Sequence, residues 1–138
     1  EAVRQIPSWE WLALHIDPAR SRTLVGAAKV AATLERVLPT DPASADARLR
    51  SLPGVGIWTS AEVRARALGD ADAVSFGDYN IARDIGWALL GEPVDDAGLA
   101  EVLEPYRPHR LRVQRLIGMA RIAPPRRGPR LAPRTHLP

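Results

Sequence analysis

Residues 50–79 read RSLPGVGIWTSAEVRARALGDADAVSFGDY and lie between segments of helical pattern. Pro53 cannot continue a helix, and Gly54 and Gly56 permit backbone conformations that other residues resist. We therefore expect a tight turn over residues 52–56, followed by a helix whose first N–H groups have no partner within that helix. A helix N-terminus of this kind attracts a phosphate group. A plain connection between two helices is the other explanation of the same glycines.

A single carboxylate, Asp78, follows the short apolar segment 73–77 and is expected to open the next helix. Aspartate is a preferred N-cap residue, so capping alone explains its presence. The alternative is chemical, because a phosphate-binding turn and a carboxylate separated by one helix are suited to chemistry on a nucleic acid. The two roles are compatible with each other.

The composition of the 138 residues excludes several kinds of site. No cysteine is present, which excludes disulfides, cysteine-ligated zinc, iron–sulfur clusters and thiol nucleophiles. No run of about eighteen apolar residues occurs, so no membrane span is predicted. A secretory signal is not recognisable either, and the expected location is the cytoplasm.

Charge is distributed unevenly along the chain. The first 106 residues contain ten basic and sixteen acidic residues, whereas the last 32 contain nine arginines and no acid. A block of arginines indicates a polyanionic partner such as DNA. A solvated tail in an arginine-rich protein explains the block equally well.

Helical periodicity accounts for most of the chain, and no segment shows convincing strand alternation, so the predicted fold class is all-α. The predicted helices span residues 9–14, 17–39, 45–51, 57–68, 78–90, 95–103 and 106–122. In the last of them, four residues are expected to face inward: Val113, Leu116, Ile117 and Ala120. Residues 1–123 are predicted to form one helical domain, and residues 124–138 an extended Pro/Arg-rich basic tail.

The segment LPGVGIWTSA, followed by VSFGDYNIARDIG, resembles the helix-hairpin-helix DNA glycosylases, and most closely the DNA-3-methyladenine glycosylase II branch. The helix DPARSRTLVGAAKVAATLE before it and the segment YRPHRLRVQRLI after it occur in the same order in that family. The resemblance covers about residues 6–122 and implies a glycosylase-like helical domain. Family members carry a further helical portion before this region, so the resemblance also implies a domain that is incomplete at its N-terminus.

The resemblance assigns roles to individual residues. Asp78 matches the catalytic aspartate of the family. The residues that match its DNA-binding hairpin are Leu52, Pro53, Gly54, Val55, Gly56, Trp58 and Thr59. Positions near the base pocket are matched by Trp58, Tyr79 and His109. The backbone carbonyl groups at the positions that bind a monovalent cation in the family, K⁺ or Na⁺, belong to Arg50, Leu52 and Val55. No other cofactor is implied.

The implied activity is that of a monofunctional DNA glycosylase in base excision repair. Family members that also cleave the strand carry a lysine at the position of Trp58, and the only lysine of this chain is Lys29. The expected substrate is a flipped-out alkylated purine, such as 3-methyladenine, in damaged double-stranded DNA. Asp78 would stabilise the oxocarbenium-like transition state of N-glycosidic bond hydrolysis. We expect a monomer at the nucleoid, with no membrane and no protein partner.

Two further hypotheses follow from the same residues. A non-catalytic helix-hairpin-helix DNA-binding module would need the hairpin and the basic tail but not Asp78. An inactive truncated glycosylase would expose apolar surface where further helices should pack.

Overall fold

The computed structural model describes residues 1–37 and 41–125. Within these two ranges the chain is helical and contains no strand, which confirms the predicted all-α class. The α-helices of the described residues are α1 (Ala2–Gln5), α2 (Ser8–Ala13), α3 (Pro18–Lys29), α4 (Ala31–Val37), α5 (Pro42–Arg50), α6 (Ile57–Val63), α7 (Ile81–Leu90), α8 (Asp96–Leu103) and α9 (Arg110–Ala120). A π-helical turn (Arg64–Leu68) extends α6, and a 3-10 turn (Glu104–Tyr106) follows α8. None of the helices in this part of the chain is long and apolar enough to cross a membrane.

Aspartates and glycines set several of the helix boundaries. Asp17, Asp41 and Asp95 precede α3, α5 and α8, and each accepts a backbone N–H of the first turn at 2.9 Å. Such N-caps satisfy donors that have no partner within the helix. Gly69 and Gly91 follow the π-helical turn and α7 with φ of 68° and 81°, a left-handed conformation that ends a helix and favours glycine. The predicted stops at these two glycines are therefore confirmed.

The linker between the π-helical turn and α7, residues 71–77, is irregular and yet largely buried. Val74 packs with the larger core cluster, which also contains Ala82, Ile85, Leu99, Leu103 and Ile117. The preceding residue, Ala73, belongs to a second cluster with Ala61, Ala65 and Leu111, which joins α6 to α9. Small alanine side chains let α6 approach the linker closely. The linker therefore joins the two halves of the core.

The predicted helix over residues 17–39 is wrong in one respect, because it is two helices. Val30 separates α3 from α4 with φ of −111°, and its N–H donates to Ala27 O at 3.1 Å. That bond spans three residues rather than four, so the α-helical ladder stops here. The β-branched side chain of Val30 also has a low helix propensity. The predicted end at Pro39 lies outside the described residues, as do residues 126–138 of the predicted tail.

The predicted bounds of the last helix are also too wide. Residues 104–106 form the 3-10 turn, and Arg121 ends α9 with a left-handed φ of 55°. Ile117 is buried and Val113 is half-buried as expected, but Leu116 is 64% exposed and Ala120 is also exposed, contrary to the prediction. The inward side of α9 runs through Leu111, Gln114 and Ile117, three residues apart, and Leu116 lies off this line.

Gly86 of α7 and Gly118 of α9 provide a matched test of the packing. A Cβ on Gly86 would lie 2.8 Å from Glu92 O and 2.8 Å from Val94 N, whereas a Cβ on Gly118 would meet nothing within 4 Å. We expect Gly86→Ala to lower the free energy of unfolding by about 1–3 kcal/mol, because the backbone after α7 must move. Gly118→Ala should raise it by about 0.5–1 kcal/mol through helix propensity. Urea denaturation measures both, and equal effects would contradict the close approach at Gly86.

Candidate functional site

The hairpin turn, residues 52–56, connects α5 to α6. Val55 N donates to Leu52 O at 3.0 Å, and Gly54 within the turn has φ of 86°. Proline at the second position and a left-handed glycine at the third are the features of a type II turn. Gly56 then precedes α6, and its carbonyl accepts from Ser60 N at 3.0 Å. The predicted glycine turn is present.

The first turn of α6 offers backbone donors to a ligand. No side chain of the described residues caps this helix at Gly56. The first N–H groups of a helix have no partner within it, and the helix dipole places partial positive charge there. Gly56, Ile57 and Trp58 are all exposed. An anion such as a DNA phosphate could therefore reach these amides.

Thr23 of α3 holds the hairpin turn from the other side. Its hydroxyl lies 3.3 Å from Pro53 O, to which it can donate. A Cβ on Gly54 would overlap the Thr23 side chain, with the Thr23 Cβ only 3.2 Å away. Glycine is therefore required at position 54 both by the backbone φ and by the space that α3 leaves.

Asp72 fixes the start of the linker to α9. Its carboxylate accepts from Arg110 N at 3.1 Å, from Arg110 Nε at 2.8 Å and from Arg110 Nη2 at 2.6 Å. Leu111 N donates to the neighbouring Ala71 O at 3.0 Å. Burial alone would raise the pKa of Asp72, but the bonds and charge of Arg110 and the charge of Arg107 hold the pKa below its ordinary value. Asp72 is thus an ionised group at the N-terminus of α9, where the helix dipole favours a negative charge.

Ser75 is completely buried in the middle of the linker and bonds two side chains. Its hydroxyl donates to Glu62 Oε1 at 2.5 Å and accepts from Gln114 Nε2 at 3.2 Å. Its backbone N–H donates to Gln114 Oε1 at 3.2 Å. These bonds connect α6, the linker and α9.

Glu62 is an ionised carboxylate near Asp78. Burial, and the negative charge of Asp78, would raise the pKa of Glu62, but the hydrogen bonds from Ser75 and Arg66 and the charge of Arg66 hold it below its ordinary value. Glu62, Ser75 and Gln114 were not among the predicted site residues. A glutamate one turn after Trp58 was visible in the sequence, but nothing local points to Ser75 or Gln114.

Asp78 lies in the turn between the linker and α7. Its Oδ1 accepts from Asn80 N at 2.8 Å and from Ile81 N at 3.2 Å. Asp78 therefore holds the amides at the start of α7, although the residue at the N-cap position itself is Asn80. The predicted helix start at Asp78 is wrong, because α7 begins at Ile81 and the side chain of Asp78 supplies the acceptor for its first amides. Hydrogen bonds within the described residues engage only Oδ1 of this half-buried carboxylate, which leaves Oδ2 for a water molecule or a substrate.

The predicted base-pocket residues are exposed. Trp58 is 43% exposed and Tyr79 is 89% exposed. Trp58 precedes Glu62 by one helical turn, which places both on one side of α6, and Tyr79 directly follows Asp78. The exposed His109 lies at the other end of the linker, directly before α9, and contact of all three residues with a base stays a prediction.

The carbonyl groups predicted to bind a cation belong to Arg50, Leu52 and Val55 of the hairpin region. Leu52 O accepts the Val55 N–H at 3.0 Å, which occupies one of its two lone pairs. Carbonyl oxygens are suitable ligands for K⁺ or Na⁺, and the second lone pair of Leu52 is compatible with that role. Within the described residues no group of three or more His, Asp or Glu side chains could hold a metal ion.

No protein-family model, curated protein or solved structure gives a significant match to this chain. The fold class therefore rests on the helices themselves, and the assignment of a function rests on the residues and geometry of the site.

We expect Gly54→Ala to lower the free energy of unfolding by about 1–3 kcal/mol, because alanine is strained at this φ and overlaps Thr23. Gly56→Ala is the matched control. Gly56 has an extended backbone, with φ of −93°, and its Cβ would meet nothing within 4 Å. Its substitution should change the free energy of unfolding by less than about 1 kcal/mol. Thermal denaturation of both variants would contradict the structure if Gly56→Ala were the more damaging.

Asp72→Asn should make stability less sensitive to acid. Because the pKa of Asp72 is lowered in the folded state, its carboxylate stabilises the fold above its unfolded pKa of about 3.9, and this contribution is lost as the pH falls through the folded pKa. The difference in free energy of unfolding between wild type and Asp72→Asn should therefore be largest from about pH 5 to 7 and shrink below about pH 4. Urea denaturation at several pH values measures it, and a difference that stays constant down to pH 3 would contradict the assignment.

Proposed function

We propose that this chain is a monofunctional helix-hairpin-helix DNA glycosylase domain that removes alkylated purines, such as 3-methyladenine, from double-stranded DNA. One observation carries the proposal. The carboxylate of Asp78 is fixed through one oxygen by Asn80 and Ile81. The Asp78 N–H donates to Ser75 O, while the Ser75 hydroxyl donates to Glu62 on α6, the helix that begins at the hairpin amides. A fixed anion and an anion-binding turn are thereby held on one framework.

The hairpin is proposed to hold the DNA backbone. Phosphate contacts from backbone amides position a duplex without reading its sequence, as is required of an enzyme that inspects many sites. Exposed arginines elsewhere, including Arg22 on α3, Arg48 on α5 and Arg112 on α9, add positive charge and make the affinity dependent on salt. K⁺ or Na⁺ at the hairpin carbonyls would have a structural role only.

The chemistry is proposed to depend on Asp78. Taking a base out of the stack costs a few kcal/mol and is easiest for a damaged, weakly paired base. As the N-glycosidic bond breaks, positive charge develops on the deoxyribose, and the carboxylate stabilises it or positions a water molecule to attack C1′. An alkylated purine already carries a positive charge and leaves without strong acid catalysis. With tryptophan at position 58, no amine is present there to form a Schiff base, so hydrolysis without strand cleavage is proposed.

A non-catalytic DNA-binding module is the second candidate. The hydrogen bonds that Asp78 accepts from Asn80 N and Ile81 N favour it, because holding the first amides of α7 is by itself a sufficient role for this residue. Catalysis requires a negative charge at position 78, whereas a binding module does not.

The Asp78→Asn variant tests the charge while it keeps the cap, since asparagine caps a helix as well as aspartate does. We expect release of 3-methyladenine and 7-methylguanine from methylated duplex DNA to fall by at least about 100-fold, with DNA binding retained. Asp95→Asn is the control, because Asp95 also accepts a backbone N–H at the start of a helix, from Gly98 at 2.9 Å. Its base release should equal that of wild type.

Release that is unchanged in Asp78→Asn, or equally reduced in Asp95→Asn, would contradict the role of Asp78. Salt-sensitive DNA binding without release by the wild type would support a binding module or an inactive truncated glycosylase instead.

A further inference from the structure

Two polar residues of the described chain are completely buried, Ser60 and Ser75. Each donates its hydroxyl to a carboxylate. Ser60 Oγ bonds Asp46 Oδ1 at 2.6 Å and joins α6 to α5, and Ser75 Oγ bonds Glu62 Oε1 at 2.5 Å and joins the linker to α6. The two serines are therefore chemically alike but connect different parts of the molecule.

The backbone of Ser75 is bonded to Asp78. Asp78 N donates to Ser75 O at 3.3 Å, while the side chain and N–H of Ser75 are held by Glu62 and Gln114. Beyond Ser75, Gly77 N donates to Asp96 Oδ2 at 2.9 Å. The bonds from α6 and α9 to Ser75 therefore help to fix the position of Asp78.

Glu62 lies on the same helix as the hairpin amides. Its bond to Ser75 is therefore a direct hydrogen bond between the helix that carries the phosphate site and the linker that leads to Asp78. A second oxygen of Glu62 is bonded by Arg66, so the Glu62 side chain is held at both ends of its carboxylate. A carboxylate held at both oxygens can fix the distance between α6 and the linker.

We propose that Ser75 and Glu62 are positioning residues, and that their hydrogen bond sets the distance between the Asp78 carboxylate and the hairpin amides. The inference rests on the proposed function for its catalytic consequence. A reacting group that is misplaced by about 1 Å can lose about 100-fold in rate, so a bond of this kind affects the chemical step although neither residue touches DNA.

Ser75→Ala and Ser60→Ala test the proposal as a matched pair, since each removes a buried hydroxyl bonded to a carboxylate. Both should lower the melting temperature by similar amounts. In single-turnover assays on methylated duplex DNA, Ser75→Ala should lower the rate constant of base release by about 10- to 100-fold, with the Kd for DNA within about twofold of wild type. Ser60→Ala should leave the rate constant within about twofold of wild type.

A second measurement does not depend on activity. Hydrogen exchange of the Asp78, Asn80 and Ile81 amides, followed by NMR, should be faster in Ser75→Ala and in Glu62→Ala than in Ser60→Ala. Glu62→Gln retains an acceptor oxygen for Ser75 and should preserve the protection. If Ser75→Ala does not fold, the comparison of Glu62→Ala with Glu62→Gln tests the same positioning role.

The outcomes separate the two proposals. Base release by wild type with equal rates in Ser75→Ala and Ser60→Ala overturns the positioning role and leaves the glycosylase function intact. If wild type releases no base, the proposed function fails, and unchanged amide exchange in Ser75→Ala and Glu62→Ala would overturn the positioning role as well.

Discussion

A buried segment without regular secondary structure must still satisfy its backbone polar groups, and the linker, residues 71–77, is such a segment. It does so by bonding to side chains and backbone groups of its neighbours. Leu111 N reaches Ala71 O, Gln114 reaches Ser75 N, and Gly77 N reaches Asp96. Because α8 and α9 supply these partners, the linker has one position relative to both helices, and the two core clusters meet across it.

Under the proposed function the fixed linker has a consequence for catalysis, because it leads directly to Asp78, the proposed catalytic carboxylate. The hairpin turn is shaped separately, by the type II geometry at Gly54 and by its contact with Thr23 of α3. A site assembled from the hairpin turn and from the turn that contains Asp78 needs a connection that fixes the distance between these two turns. Glu62 and Ser75 provide that connection with charge-assisted bonds, which are shorter and stronger than neutral ones.

Several of the acidic residues bond to groups of the chain itself, although acidic residues outnumber basic residues in the first 106 positions. Asp17, Asp41 and Asp95 cap helices, while Asp46 and Asp72 pair with arginines. The negative charge of a carboxylate bonded in these ways is offset locally by backbone N–H groups or by the charge of an arginine. The acid excess in this part of the chain is therefore compatible with a polyanionic partner at the hairpin.

The sequence by itself determined the features that depend on local backbone preference: the all-α class, the glycine turn, the helix stops at Gly69 and Gly91, and a carboxylate at Asp78 that bonds the amides before α7. Each follows from a φ range or a side chain within a few residues. Only the tertiary structure decided that Ser75 bonds both Glu62 and Gln114, the latter 39 residues away, and that Leu116 faces outward. Periodicity records which residues can share a helix face but not which face the neighbouring helices will cover. For that reason Asp78 could be found in the sequence, whereas the hydrogen bonds among Glu62, Ser75 and Gln114 could be found only in the folded structure.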